Sequence, residues 1–188
     1  MVRGFGKVAL GAGLLLAALD VTSARALVVV PADFAELVGE ARAIVYGRVS
    51  AVQPQLTDDR RHIDTLVFLE AVSYFKGDLG RNVTFRVPGG ELGRYRTVIV
   101  GAPAFAPGDE VVLFLGARGP SVPYVLGLSQ GVFRVVADSA SGERRVLPSP
   151  LVARGPDVER IVRGDPARRP VSLSQFATQV GRVLGAGQ

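Results

Sequence analysis

A chain of 188 residues without a single cysteine is long enough to bury one core of its own. It excludes a disulfide scaffold, a thiolate metal site and a thiol nucleophile. The formal charge of +5 does not point to nucleic acid: residues 144–188 hold eight arginines against Asp157, Glu159 and Asp165 in a proline-rich tail, whereas a nucleic-acid binder needs a basic patch on its folded face.

Arg3 and Lys7 precede the apolar run "VALGAGLLLAAL", and "ARA" follows at residues 24–26. That is the layout of a secretory signal with a small-x-small cleavage site. The expectation is a signal over residues 1–26, cleavage after Ala26, and a secreted or periplasmic protein with no stable membrane anchor. Asp20 closes the apolar run short of the roughly 20 residues that a spanning helix needs.

Asp33 and Glu36 stand at capping-box spacing, with Phe34, Leu37, Val38 and Ala41 at helical intervals, which predicts a short helix over 33–41. "AIVYGRVSAV" then predicts a strand over 43–52, with Gly47 at a bulge or bend. The polar, proline-containing stretch 53–64 reads as a loop. "TLVFLEAVSYF" is a long strand that ends at Lys76-Gly77-Asp78, and Val83, Phe85 and Val87 alternate with Thr84 and Arg86 as a half-buried strand.

"PGGELG", 88–93, runs into "RYRTVIV". A second β-rich run takes the place of the helix with Lys-Ser/Thr that a phosphate loop requires. Gly89 and Gly90 therefore read as a turn between strands. "GAPAFAPGDE" connects to the strand "VVLFL", and its Phe105 either plugs the end of a barrel or stands out as a binding anchor. "YVLGLS", "VFRVVA" and "RRVLP" add further strands, Pro/Arg-rich residues 148–171 read as a linker or strap with at most one short helix near 157–163, and residues 172–188 form a C-terminal helix opened by Ser172 and Gln175 at capping-box spacing. The expected fold is mainly β: a small OB-like or Greek-key barrel, or a sandwich, of about six to eight strands over 27–147, with a short N-terminal helix and a C-terminal helix.

"GLSQG", 127–131, satisfies Gly-x-Ser-x-Gly, yet a nucleophile elbow needs a helix after the serine and a histidine later in the chain. Here a strand follows Ser129, and the only histidine, His62, precedes it. A serine hydrolase built on Ser129 is therefore the weakest reading. His62 beside Asp58, Asp59 and Asp64 lacks the ligand set of a zinc site and the spacing of a calcium loop. No metal and no cofactor are expected.

"IVYGRV", "LVFLEAVSYFKGD", "VTFRVPGG", "GAPAFAPGDEVVLFL" and "YVLGLSQGVFRV" together resemble a group of uncharacterised secreted bacterial proteins. These share a long strand ending in Lys-Gly, a Pro-Gly-Gly loop and a Pro-x-Phe-x-x-Gly-Asp/Glu segment. The strand order is also distantly similar to the barrels of netrin-like modules, which include tissue inhibitors of metalloproteases. Those inhibitors bind zinc through an N-terminal cysteine, which this chain lacks. The expected function is that of an exported, non-catalytic binding module with a protein partner or another ligand; the alternative is an inhibitor or accessory of an extracellular protease. The candidate binding surface comprises His62, Gly89, Gly90 and Phe105.

Overall fold

The computed structural model describes residues 32–119, 121–139, 141–148 and 169–186. The expected signal segment, its cleavage site and nearly all of the linker, with its short helix near 157–163, lie outside the described residues. The elements in chain order are α1 (Phe34–Glu40), β1 (Ala43–Leu56), β2 (Ile63–Lys76), β3 (Asn82–Pro88), β4 (Gly90–Leu92), β5 (Tyr95–Thr97), β6 (Glu110–Gly116), β7 (Tyr124–Val125), a 3-10 turn (Leu128–Gly131), β8 (Val132–Ala137), β9 (Arg144–Pro148), β10 (Val171–Ser172) and α2 (Leu173–Ala186).

Five strands close a barrel in the order β1-β2-β3-β7-β6 and back to β1. All neighbours are antiparallel except β3 and β7, which meet in parallel at the single pair Arg86 and Tyr124. The parallel step makes this an OB-like Greek-key closure. β7 and β8 lie along the same edge of β6, β7 opposite Leu115 and Gly116 and β8 opposite Val111 to Leu113. They are thus one strand interrupted by the 3-10 turn, where Gly127 and Leu128 both take positive φ. For that reason the expected strand "YVLGLS" stops at Val125. β9 and β10 extend the sheet outward from β8.

Strand alternation sorts the apolar residues into two cores. Val45, Val67, Phe85, Leu113 and Val132 fill the barrel. Ile44, Val112, Phe114 and Phe133 point outward and are covered by Phe34 and Leu37 of α1 and by Phe176 and Val180 of α2. β6 is therefore buried on both faces, which explains its unbroken apolar run. α2 docks on the barrel: Phe176 makes edge contacts with Phe34 at 5.8 Å and with Phe75 at 5.4 Å between ring centroids.

The two expected capping boxes behave differently. At α2 both halves form: Gln175 N donates to Ser172 Oγ at 3.2 Å and Ser172 N donates to Gln175 Oε1 at 3.1 Å. At α1, Asp33 makes no side-chain cap bond. That helix is instead held at its other end, where Lys76 Nζ donates to the carbonyls of Val38 at 2.6 Å and Gly39 at 2.9 Å. A cation on the last carbonyls of a helix satisfies them and complements the dipole.

The expected loop over 53–64 is shorter than its polarity implied: β1 continues to Leu56 and β2 begins at Ile63. Pro54 is tolerated because β6 accompanies β1 only from Ala43 to Arg48, so beyond that point β1 has one edge without a strand. Gly47 sits at a register shift between β1 and β2, and a Cβ there would lie 2.4 Å from the Glu70 carbonyl oxygen. The bulge needs glycine.

Candidate functional site

One end of the barrel gathers the β1–β2 loop, the glycines after β3, the β4–β5 hairpin and the long connection to β6. The loop Thr57–His62 is tied by its own polar groups. Thr57 Oγ1 donates to Asp59 Oδ1 at 2.5 Å, Arg61 N donates to the same oxygen at 3.0 Å, and His62 N donates to Thr57 Oγ1 at 3.1 Å. The Thr57 bond, then the Arg61 bond, hold the Asp59 carboxyl below the ordinary carboxylate value. His62 is exposed. Asp64 pairs with Arg86 at 3.6 Å, and no cluster of three His, Asp or Glu residues suited to a metal occurs among the described residues.

Gly89 and Gly90 anchor the hairpin against this loop. Gly89 N donates to Ile63 O at 2.9 Å, and Thr65 Oγ1 donates to Gly89 O at 2.7 Å. Both glycines have positive φ, and a Cβ on Gly90 would come within 2.5 Å of Thr65 Oγ1. They turn the chain at close quarters, which only glycine tolerates. From there β4 and β5 form a two-stranded ribbon in which Glu91 faces Arg96, with an ion pair at 3.0 Å. Ile63 N donates to Thr97 Oγ1 at 3.0 Å and pins the ribbon to β2.

The expected strand over 94–100 ends at Thr97, because β5 has only three-residue β4 as a partner. Val98, Ile99 and Val100 consequently meet no strand. Val98 is 67% exposed, Val100 69% and Tyr95 59%. Of nine large apolar side chains exposed among the described residues, five fall between Leu92 and Val100. The Arg94 guanidinium lies 5.1 Å from the centroid of the Tyr95 ring and bonds its hydroxyl at 2.9 Å, which holds the ring out from the surface.

The connection then crosses the barrel end. Ser129 N donates to Gly101 O at 3.0 Å on one side, and Gly108 N donates to Val49 O at 2.8 Å on the other. Between them Phe105 turns inward onto Phe85, ring centroids 5.3 Å apart, with Arg134 over its outer face at 5.3 Å. Arg134 also pairs with Asp109 and donates to the Ala104 carbonyl. Phe105 is thus half-buried as the lid of the barrel core, and the free apolar surface beside it belongs to Tyr95 and Val98 to Val100.

The structure therefore brings His62, Gly89 and Gly90 to one rim and places Phe105 beneath the connection that continues from it. Ser129 lies in a 3-10 turn that returns at once to a strand, so its surroundings differ from those of a nucleophile elbow. Sequence reasoning passed over Tyr95 and Val98 to Val100. The available signal was "VIV", three β-branched residues directly after the alternating "RYRT" and followed by a glycine. Comparison with known protein families, with curated proteins and with solved structures yields no match.

Proposed function

We propose that this chain is an exported, non-catalytic binding module that grips a protein partner with the apolar end of its barrel. The observation that carries this reading is the exposure of Leu92, Tyr95, Val98, Ile99 and Val100 on a hairpin pinned to the barrel and on the chain that leaves it. Contiguous apolar exposure rimmed by charge marks a surface that is covered in use. Fully burying each aliphatic side chain contributes about 1.5–3 kcal/mol, and a rigid tyrosine at the centre is a typical anchor. Glu91, Arg94 and Arg96 supply a polar rim. The absence of cysteine separates this chain from the zinc-binding mechanism of the metalloprotease inhibitors among netrin-like modules.

The test is site-specific photo-cross-linking of the full chain in its own envelope and secreted fractions. p-Benzoylphenylalanine in place of Val98 or Val100 is expected to yield one protein adduct, and the same group in place of Val122, exposed in the β6–β7 connection, none. An adduct that is a protease selects the inhibitor or accessory role. No adduct from either position on the hairpin side, or the same adducts from Val122, overturns the reading.

A further inference from the structure

A second surface, independent of the hairpin, lies on the outer face of the barrel where the Gly47 bulge separates β1 from β2. It is a groove of about 510 Å³, within the size range of small-molecule sites. Its floor includes Tyr46, which is only 6% exposed. Three guanidinium groups line it, from Arg48 on β1, Arg81 before β3 and Arg144 on β9, together with the carboxylates of Glu70 and Glu110.

These charges are not equally engaged. Glu110 Oε2 accepts from Tyr46 Oη at 2.7 Å and from Arg144 Nε at 3.0 Å, so this carboxylate and Arg144 satisfy one another. Arg48 reaches one carbonyl, that of Gly108, at a long 3.4 Å. The side chains of Arg81 and Glu70 make no hydrogen bond or ion pair among the described residues. Arg48 and Glu70 stand directly opposite each other in the β1–β2 register, yet no ion pair joins them. The groove is thus lined by Arg48 and Arg81, whose donors are largely unused, and by Glu70, whose carboxylate is unpaired among the described residues, while Glu110 also lies across from Arg48. A guanidinium binds a carboxylate or phosphate through paired N–H groups, and a free carboxylate accepts hydroxyl protons.

We infer that this groove binds a small hydroxylated oxyanion of the sugar-acid or sugar-phosphate type, its anionic group on Arg48 and Arg81 and a hydroxyl on Glu70. Arg144 and Glu110 position the wall and keep Tyr46 on the floor.

The experiment is NMR titration of the ¹⁵N-labelled protein, reading the arginine Nε–H resonances, with glucuronate, glucose 6-phosphate, acetate and glucose as probes. Glucuronate or glucose 6-phosphate is expected to shift the Arg48 and Arg81 signals and to bind at least five-fold tighter than acetate or glucose; the tighter of the two identifies the oxyanion. Arg81→Gln is expected to weaken that binding at least five-fold with an unchanged melting temperature. Glu70→Gln is expected to erase the preference over acetate. Absence of any shift at 20 mM probe, equal binding of acetate, or affinity indifferent to Arg81→Gln overturns the inference. An Arg48→Gln variant with the same loss supplies an independent check should Arg81→Gln misfold.

Discussion

Phe176→Ala tests whether the C-terminal helix is part of the folded unit that holds the barrel end rigid. The ring is 1% exposed and touches four others, Phe34, Phe75, Phe114 and Phe133, at centroid distances of 5.8, 5.4, 6.2 and 5.5 Å. Truncating a buried phenylalanine costs about 3–5 kcal/mol, transfer and cavity together. Edge contacts between rings contribute about 0.5–1.5 kcal/mol per pair beyond area burial, so the upper end of that range applies here. Against a total of about 5–15 kcal/mol for a domain, this is a large fraction. At about 2–4 °C per kcal/mol for a chain of this size, a loss near the upper end of about 5 kcal/mol lowers the midpoint by about 10–20 °C. Circular-dichroism melting and urea unfolding of the full chain measure it, with Phe176→Leu as the partner variant that restores most of the volume and should recover more than half of the loss. A Phe176→Ala protein that melts within about 3 °C of the parent would mean that α2 is not seated on the aromatic cluster.

Lys76→Met removes both bonds to the end of α1 while keeping the aliphatic stem; bonds to a charged donor contribute about 1.5–3 kcal/mol, so amide exchange of Leu37 to Ala41 should accelerate selectively, and unchanged exchange would remove the lysine from that role. Burial first, and then the bond to Glu110, push the Tyr46 phenol up to about 12 from 10.0. Because its folded value lies above the unfolded one, this stabilisation is complete below pH 10 and is lost as pH rises through 12. Ultraviolet titration should therefore find one phenolate forming last of the four tyrosines, and earlier in Glu110→Gln; full ionisation of all four by about pH 11 refutes this. Glu110 is shifted the opposite way, lowered first by the Tyr46 bond and then by Arg144. Its contribution is present above the ordinary carboxylate value and fades as pH falls through the depressed one, so Glu110→Gln should flatten the acid limb of a stability profile.

The mainly β architecture was readable because the alternation of Val83, Phe85 and Val87 and the uniform run of β6 report burial on one face and on two. The α2 start was readable because its capping box is local, and both bonds lie within four residues. What was not readable depends on distant partners. Whether Gln53 to Leu56 pair with β2 is decided by a facing strand, and polarity misled there. Whether Val98 to Val100 form a strand is decided by the absence of an edge to join. Asp33 carries the same local signal as Ser172 and forms no cap, while the group that holds α1 comes from Lys76, many residues away. The groove was invisible for the same reason: Arg48, Glu70, Arg81, Glu110 and Arg144 lie on five separate segments that only the barrel and its sheet extension bring together.

The Lys-Gly, Gly-Gly and Phe-x-x-Gly-Asp residues of this sequence are ones the fold uses up. Lys76 holds the end of α1, and Gly77 takes positive φ where a Cβ would meet the Arg42 carbonyl oxygen at 2.3 Å. Gly89 and Gly90 let the hairpin turn against Thr65 and Thr97. Phe105 closes the barrel core, Gly108 passes beside Val49, and Asp109 holds both Ala106 N at 2.8 Å and Arg134. Each of these groups has partners inside the molecule. The two proposed surfaces draw on what the same fold leaves unpartnered. Among the described residues these are the apolar tip from Leu92 to Val100, where the chain exposes β-branched side chains at an edge it never fills, and the groove at Gly47, which Arg48, Arg81 and Glu70 line without pairing with one another. The residues that build the barrel and the residues of the two proposed surfaces are thus different sets, so substitutions at one can be read separately from the other.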